Sequence, residues 1–390
     1  MISKPGTGIS FYTCDGITFQ SKIQACIYSQ KINKPVKWVF GLHDIYSKYA
    51  WNIEPIETLD ELYDRRAREL REQYDYIVIS YSGGADSHNV LMSFYRQGLH
   101  VDEVLTNHIT KVTENVTDFS GKDYRPQNYN AEHQLNAVAK LQWIHTNMPG
   151  TLVSEVDISD AVLDSFNPID ESWVLNQNAH LNVAHRFRTN YFYLKAFKNN
   201  LDSGKKIGFV VGIDKPRTFI ENNMLTLSFA DATIFNSSIN DHNVDYDNVT
   251  IEPFYWANST APMICKQVHI IKRFIEQSPG RAYYWDTKQG FSFKVARTYH
   301  ERWLRTLLYT TWNDSWYQAD KCVYTWNSEF DDWWRNRVKG SAQELLWNQG
   351  VEFLQKNAKD YIVYKNGKAD DLKPFVVKYP ICQMKSSVNF

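Results

Sequence analysis

Cysteine is scarce and scattered in this 390-residue chain: Cys14, Cys26, Cys265, Cys322 and Cys382 are the five, and no two stand at C-x-x-C spacing. An odd, dispersed set argues against a disulfide framework, a zinc ribbon and a cluster site. A cytoplasmic, reducing location is therefore expected. No run of about 18 apolar residues occurs, so no membrane span is expected. The opening MISKPGTGISFYTC lacks the basic-then-apolar pattern of a secretory signal. An excess of charge is missing too, with 43 Lys and Arg against 44 Asp and Glu. That balance excludes a nucleic-acid binder working by bulk basic charge, although a nucleic-acid substrate met at a local patch stays open. Internal repeats and low-complexity tracts are also absent.

What is present is a globular composition, 43% hydrophobic and 15% aromatic with 13 Trp. Much of the aromatic content follows Tyr255, and two readings apply: an aromatic core, or a surface that stacks bases or sugars.

Periodicity divides the chain. Residues 1–57 mix short apolar runs with turn residues and read as a β-rich or irregular lead-in. TLDELYDRRARELREQY follows, with Thr58 and Glu61 at capping-box spacing and Leu59, Leu62, Tyr63, Leu70 and Tyr74 at helical spacing. Strands are then expected at 76–80, 102–109, 151–158 and 206–214, separated by helices at 86–98, at 131–150 and within 159–200. Alternating strand and helix implies an α/β fold with a parallel sheet and right-handed crossovers. Beyond Lys215 the pattern changes to short strands or a hairpin at 224–238, then helices. Ser341 and Glu344 repeat the capping-box spacing, and Asn366-Gly367 signals a hairpin. The expected division is a lead-in (1–57), an α/β nucleotide domain (58–218) and a mostly helical aromatic-rich domain (219–390).

The chemistry concentrates in YIVISYSGGADSHNVLMSFY, residues 76–95, where a strand runs through SGGADS into a helix. A helix start offers unpaired N–H groups and a partial positive charge. Glycines let the backbone approach an anion closely, and serine hydroxyls add donors, so the loop is a phosphate cradle. Asp86 inside it makes sense if the acid holds Mg²⁺ against phosphate oxygens. No Lys follows the glycines, so this is not a Walker A loop, and G-x-G-x-x-G is absent as well.

S-G-G-x-D-S between strand and helix resembles the PP-loop of the N-type ATP pyrophosphatases, the adenine nucleotide alpha hydrolase-like superfamily. The resemblance covers about residues 74–218 and implies a doubly wound, HUP-like nucleotide-binding domain. It implies ATP and Mg²⁺ as cofactors, release of pyrophosphate, and an adenylated substrate whose AMP a second nucleophile displaces. By the match, Ser82, Gly83, Gly84, Ala85, Asp86 and Ser87 hold the pyrophosphate, with Asp86 on the metal and catalytic. Leu105, Thr106 and Asn107 would face the adenine. VVGIDKPR, residues 210–217, resembles the segment after a late strand in phosphoadenosine phosphosulfate (PAPS) reductases. It would bring Gly212 and Asp214 to the nucleotide, and Lys215 and Arg217 to the charge on departing pyrophosphate. The remainder of the chain is loosely similar to PAPS reductase-like PP-loop proteins of large bacteriophages. The substrate implied is a small molecule or nucleotide.

Several parts found elsewhere in that superfamily are missing. Position 2 is Ile, so no glutaminase nucleophile is expected there, and Cys382 in YPICQMKSS does not match the reductase cysteine motif. Further candidates are Glu252, Trp256, Lys266 and His269, for a substrate pocket or a packed hinge. His180, His185, Arg186 and Arg188 are candidates for the same crevice. The long polar stretch Thr110–Asn130, with Lys111, Lys122 and Arg125, reads as a lid or a surface loop. Two rivals to adenylation stand: a non-catalytic nucleotide-binding interaction module, and an α-hydrolase that cleaves a nucleotide outright.

Overall fold

The computed structural model describes residues 10–108, 133–157, 174–175, 204–213, 215, 217–231, 248–278, 280–281, 285, 302–313, 315–316, 336–365 and 368–384. The lead-in is a small folded unit. Strands β1 (Phe11–Cys14), β2 (Ile17–Phe19) and β3 (Lys37–Val39) form an antiparallel sheet in the order β2-β1-β3. Helices α1 (Lys22–Ile32) and α2 (His43–Tyr46) complete it.

Helix α3 (Leu59–Gln73) begins at the expected capping box: Thr58 Oγ1 accepts from Glu61 N at 3.3 Å, and Glu61 Oε2 accepts from Thr58 N at 2.8 Å. Leu59, Leu62, Tyr63, Ala67 and Leu70 are buried, as their spacing predicts. Burying each leucine contributes roughly 2 kcal/mol.

Five parallel strands follow: β4 (Tyr76–Ser80), β5 (Glu103–His108), β6 (Leu152–Asp157), β7 (Ile207–Val211) and, after two antiparallel strands, β10 (Val249–Pro253). Their order across the sheet is β10-β7-β4-β5-β6, with helices flanking it. The chain grows from β4 to β6 in one direction, then returns to β7 on the other side of β4. The central strands are apolar on both faces because both are covered. Ile77, Ile79, Val104 and Val210 enter the main core, and Tyr76, Val78, Leu105, Phe209 and Val211 bury in a second cluster.

Helix α4 (Ala85–Arg96) ends at Gly98, whose φ of +61° suits a residue without Cβ. Helix α5 (Val138–Asn147) is entered through a π turn, His133–Ala137.

Strands β8 (Arg217–Glu221) and β9 (Met224–Ala230) form a hairpin through Asn222 and Asn223, both at positive φ. β11 (Ile362–Lys365) and β12 (Lys368–Leu372) pair antiparallel on either side of Asn366-Gly367, as that dipeptide signals. β13 (Val376–Gln383) returns to pair with β9. Helix α6 (Ala261–Glu276) packs on α3, and α7 (Ala342–Asn357) packs on α1. A further helical stretch covers 302–308.

The fifth strand of the parallel sheet, β10, lies beyond the expected boundary at 218, and antiparallel strands occupy part of the region expected to be mostly helical. A buried polar knot ties the two ends of the chain together. Asp231 Oδ2 accepts from Tyr12 Oη at 2.9 Å and pairs with Lys22 Nζ at 2.7 Å, while Asp231 Oδ1 accepts from Phe375 N at 2.8 Å. Burial pushes the Asp231 carboxyl up, and Lys22 opposes that shift. Among the described residues no helix is long and apolar enough to cross a membrane.

Candidate functional site

Strand β4 stops at Ser80, paired with Leu105, while β5 runs on through Thr106, Asn107 and His108 beside β6 alone. β4 is also where the strand order reverses, and in open α/β sheets such a point opens a crevice beyond the carboxyl ends of the strands. Ser82–Ser87 fills its floor.

The loop is internally braced. Ser87 Oγ accepts from Ser82 N at 3.3 Å and donates to the Gly84 carbonyl at 3.2 Å, while Ser82 Oγ accepts from Gly84 N at 3.2 Å. Gly84 is the N-cap of α4 and has no side chain to cap it, so the N–H groups of the first turn keep their donor capacity. Gly83 has φ +74°, and a Cβ there would meet Ala137 Cα at 2.8 Å. Gly212 presses β7's exit against α4, for a Cβ there would lie 2.9 Å from Ser87 N. The two expected segments, SGGADS and the exit of β7, therefore do face each other.

Two buried lysines flank the loop. Lys215 Nζ, with its side chain 3% exposed, reaches both carboxylate oxygens of Asp86 at 2.9 Å. Tyr309 Oη also donates to Asp86 Oδ1. Burial, then the Asp86 charge, holds the Tyr309 hydroxyl far above its usual range, so it stays a donor. Tyr255 Oη donates to the Asp86 carbonyl at 3.0 Å and accepts from Asn89 Nδ2 at 3.0 Å.

On the other side, Lys140 Nζ donates to the Gly83 carbonyl at 2.6 Å and to Asn136 Oδ1 at 2.6 Å, and Asn136 Nδ2 donates to the same carbonyl at 2.7 Å. The Lys140 ammonium also lies 4.5 Å from the Trp312 ring and 4.3 Å from the Trp316 ring. His88 packs edge-on against Trp316 at 5.1 Å and shares a 3.0 Å hydrogen bond with Tyr81 Oη. Burial, with help from Lys140, pushes the His88 pKa down to about 3.

Of the expected site residues, Ser82, Gly83, Gly84, Ala85, Asp86, Ser87, Gly212 and Lys215 converge. Arg217 is exposed at the start of β8, and Asp214 lies outside the described residues. Leu105 is fully buried and its carbonyl accepts from Tyr81 N at 2.8 Å, whereas Asn107 is half-buried beyond the end of β4.

Glu252, Trp256, Lys266 and His269 do not converge on one pocket. Glu252 pairs with Arg66 at 2.7 Å, Lys266 pairs with Glu54 at 2.9 Å, and His269 Nε2 bonds the Trp51 carbonyl at 3.0 Å. Trp256 is buried against Phe229. Glu252, Lys266 and His269 are engaged in ion pairs or hydrogen bonds and Trp256 is packed, which favours the hinge alternative over the pocket. Thr110–Asn130 and the group at His180, His185, Arg186 and Arg188 lie outside the described residues.

Asn136, Lys140, Tyr255 and Tyr309 were not anticipated. Asn136 and Lys140 carry a weak sign, being four apart on one helical face. Tyr255 and Tyr309 sit in apolar stretches that read as core.

A Mg²⁺ ion would have Asp86 as its protein ligand here. A carboxylate offers about four lone-pair sites. Oδ1 takes Lys215 and Tyr309, whereas Oδ2 takes Lys215. One carboxylate with room at one oxygen fits an ion whose other ligands are phosphate oxygens and water. Compared with known proteins, the chain matches no family model and no curated protein.

Proposed function

We propose that the chain binds ATP on Ser82–Ser87 and cuts it between the α- and β-phosphates, adenylating a small-molecule or nucleotide substrate in the cytoplasm. The observation that carries this reading is the meeting of the glycine loop with Lys215 and Lys140 where the strand order reverses. The order β6-β5-β4-β7-β10, with both faces of the central strands buried, supports a doubly wound, HUP-like sheet.

In this reading the first-turn N–H groups of α4 bind the β- and γ-phosphates. Lys215, already beside Asp86, turns toward charge developing on pyrophosphate as it departs. Mg²⁺, when bound, neutralises phosphate charge at Asp86. Lys140 and Asn136 hold the Gly83 carbonyl and so fix the shape of the loop. Catalysis comes from positioning and electrostatics, as is usual at phosphoryl centres.

A second reading, nucleotide binding without turnover, draws on one observation: both oxygens of Asp86 already contact Lys215, and one of them Tyr309. One experiment separates them. The protein is incubated with α-labelled or γ-labelled ATP, Mg²⁺ and cell extract. AMP plus pyrophosphate is the expected product pair. ADP plus phosphate would overturn adenylation, and tight binding without turnover would establish the second reading.

A further inference from the structure

The carboxyl ends of β5 and β6 carry a set of metal-ligating groups separate from the phosphate loop. His108 closes β5, Glu155 and Asp157 lie on β6, and His133 opens the π turn before α5. Thr106 pairs with Glu155 and His108 with Asp157, so all four side chains share one face of the sheet. His133 reaches the same cluster from the π turn that enters α5.

The resulting geometry is compact. One ligand atom each from His108, His133 and Glu155 lies within 4.8 Å of the others. His133 Nε2 is 3.4 Å from Glu155 Oε2, and the two imidazole centroids are 4.8 Å apart. Ligand atoms on a tetrahedral zinc stand roughly 3.3 Å apart, given bonds of about 2.05 Å. The His133–Glu155 pair is already at that spacing.

The His133 side chain is nine-tenths buried, at 10% exposure, and Nε2 is the nitrogen turned to Glu155. Nδ1, on the far side of the ring, has no hydrogen-bond partner among the described residues. The ring thus presents one nitrogen to a carboxylate and stands beside a second imidazole, as a ligating edge would.

We propose that His108, His133 and Glu155 bind one divalent cation of the zinc class, with Asp157 orienting the His108 ring. Asp157 Oδ2 lies 3.8 Å from His108 Nδ1, longer than a hydrogen bond but on the side of the ring from which an outer carboxylate orients a ligating histidine. Two imidazoles select against Mg²⁺ and Ca²⁺, which prefer all-oxygen shells. Three protein ligands leave a fourth position for water or a substrate group. The ion would pin the π turn to β5 and β6. The same turn supplies Asn136 and Ala137 to the wall of the Gly83 loop. The site does not depend on whether ATP is cleaved.

The test uses the full chain, stripped with EDTA and titrated with Zn²⁺ by calorimetry. Tetrahedral Co²⁺ absorption serves as an independent readout. Wild type should take up one equivalent and melt at a higher temperature with Zn²⁺ than without. His133→Ala and Glu155→Gln should each weaken binding by at least about 100-fold, since even outer-shell losses reach that size. His145→Ala, outside the cluster, should bind as wild type does. Glu155 is half exposed, so E155Q serves if H133A fails to fold. No saturable uptake by wild type, or uptake unchanged in both cluster variants, would overturn the proposal.

Discussion

Asp86 is the residue on which the site turns, and its surroundings change what its replacement does. Its carboxylate balances Lys215, whose side chain is almost wholly buried. On the proposed function Asp86→Asn should abolish ATP cleavage, and it should also strand a buried ammonium, at a cost of about 3 kcal/mol. Lys215→Met removes that cation, so the double variant should regain part of the lost stability without regaining activity. Urea denaturation of the two single variants and the double variant measures the coupling. Strictly additive losses would show that the pair contributes nothing.

His88 makes a second prediction at this scale. Burial lowers its pKa to about 3 from an ordinary value near 6.5. Between those values the unfolded chain binds a proton that the folded chain refuses. Stability accordingly falls as pH drops below about 6.5, by up to about 1.4 kcal/mol per pH unit. In His88→Gln the urea midpoint should change less between about pH 7 and about pH 5 than in wild type. Equal slopes would mean that His88 protonates freely in the folded protein.

At the scale of elements, the site is an agreement between α4, α5 and the end of β7. Gly83 and Gly212 are the contact points, and at each a methyl group would strike backbone rather than a movable side chain. Gly83→Ala pays twice, once for a positive φ and once for the collision with Ala137. Left-handed backbone alone costs an ordinary residue roughly 1–2 kcal/mol. The expected result is a protein with a lower melting temperature and no measurable affinity for ATP.

Lys140→Met should be milder in stability, costing about 2 kcal/mol for the lost charged hydrogen bonds. It should weaken nucleotide binding because the Gly83 carbonyl loses one of its two holders. Equilibrium binding of a fluorescent ATP analogue reads both variants, and wild-type affinity in either would detach α5 from the site. The elements themselves were legible: β4, α4, β5 and β6 fall within a residue or two of where periodicity puts them, and β7 ends three residues earlier than expected. The partners of the loop were not. Nothing in the spacing of Asn136 and Lys140 says that their helix approaches Gly83, because that approach depends on how α5 is seated.

At the scale of the whole molecule, one core runs from Tyr12 to Ile381. Tyr46 and Trp51 of the lead-in pack against Phe229 and Tyr379, and the Asp231 knot joins β1, α1 and the segment entering β13. The sheet takes its edge strand from residues 249–253. Unfolding should consequently be a single transition. Far-ultraviolet circular dichroism and tryptophan fluorescence should report the same midpoint, and two separated transitions would refute a shared core. Residues 58–218 expressed alone lack β10, β13 and the lead-in, and should not give a cooperative melt.

The sequence by itself was enough for whatever depends on near neighbours in the chain. Local steric and hydrogen-bonding rules govern the capping box at Thr58, the Asn-Gly hairpin, the alternating strands and helices, and the glycine loop entering α4. Tertiary structure alone decided what Asp86 touches. Lys215, Tyr255 and Tyr309 lie 129 to 223 residues away from it along the chain, and packing brings them to the loop. The same holds for His108, His133 and Glu155, which come together because β5 pairs with β6 in one register and not the next. A slip of one residue would turn His108 or Glu155 to the opposite face of the sheet.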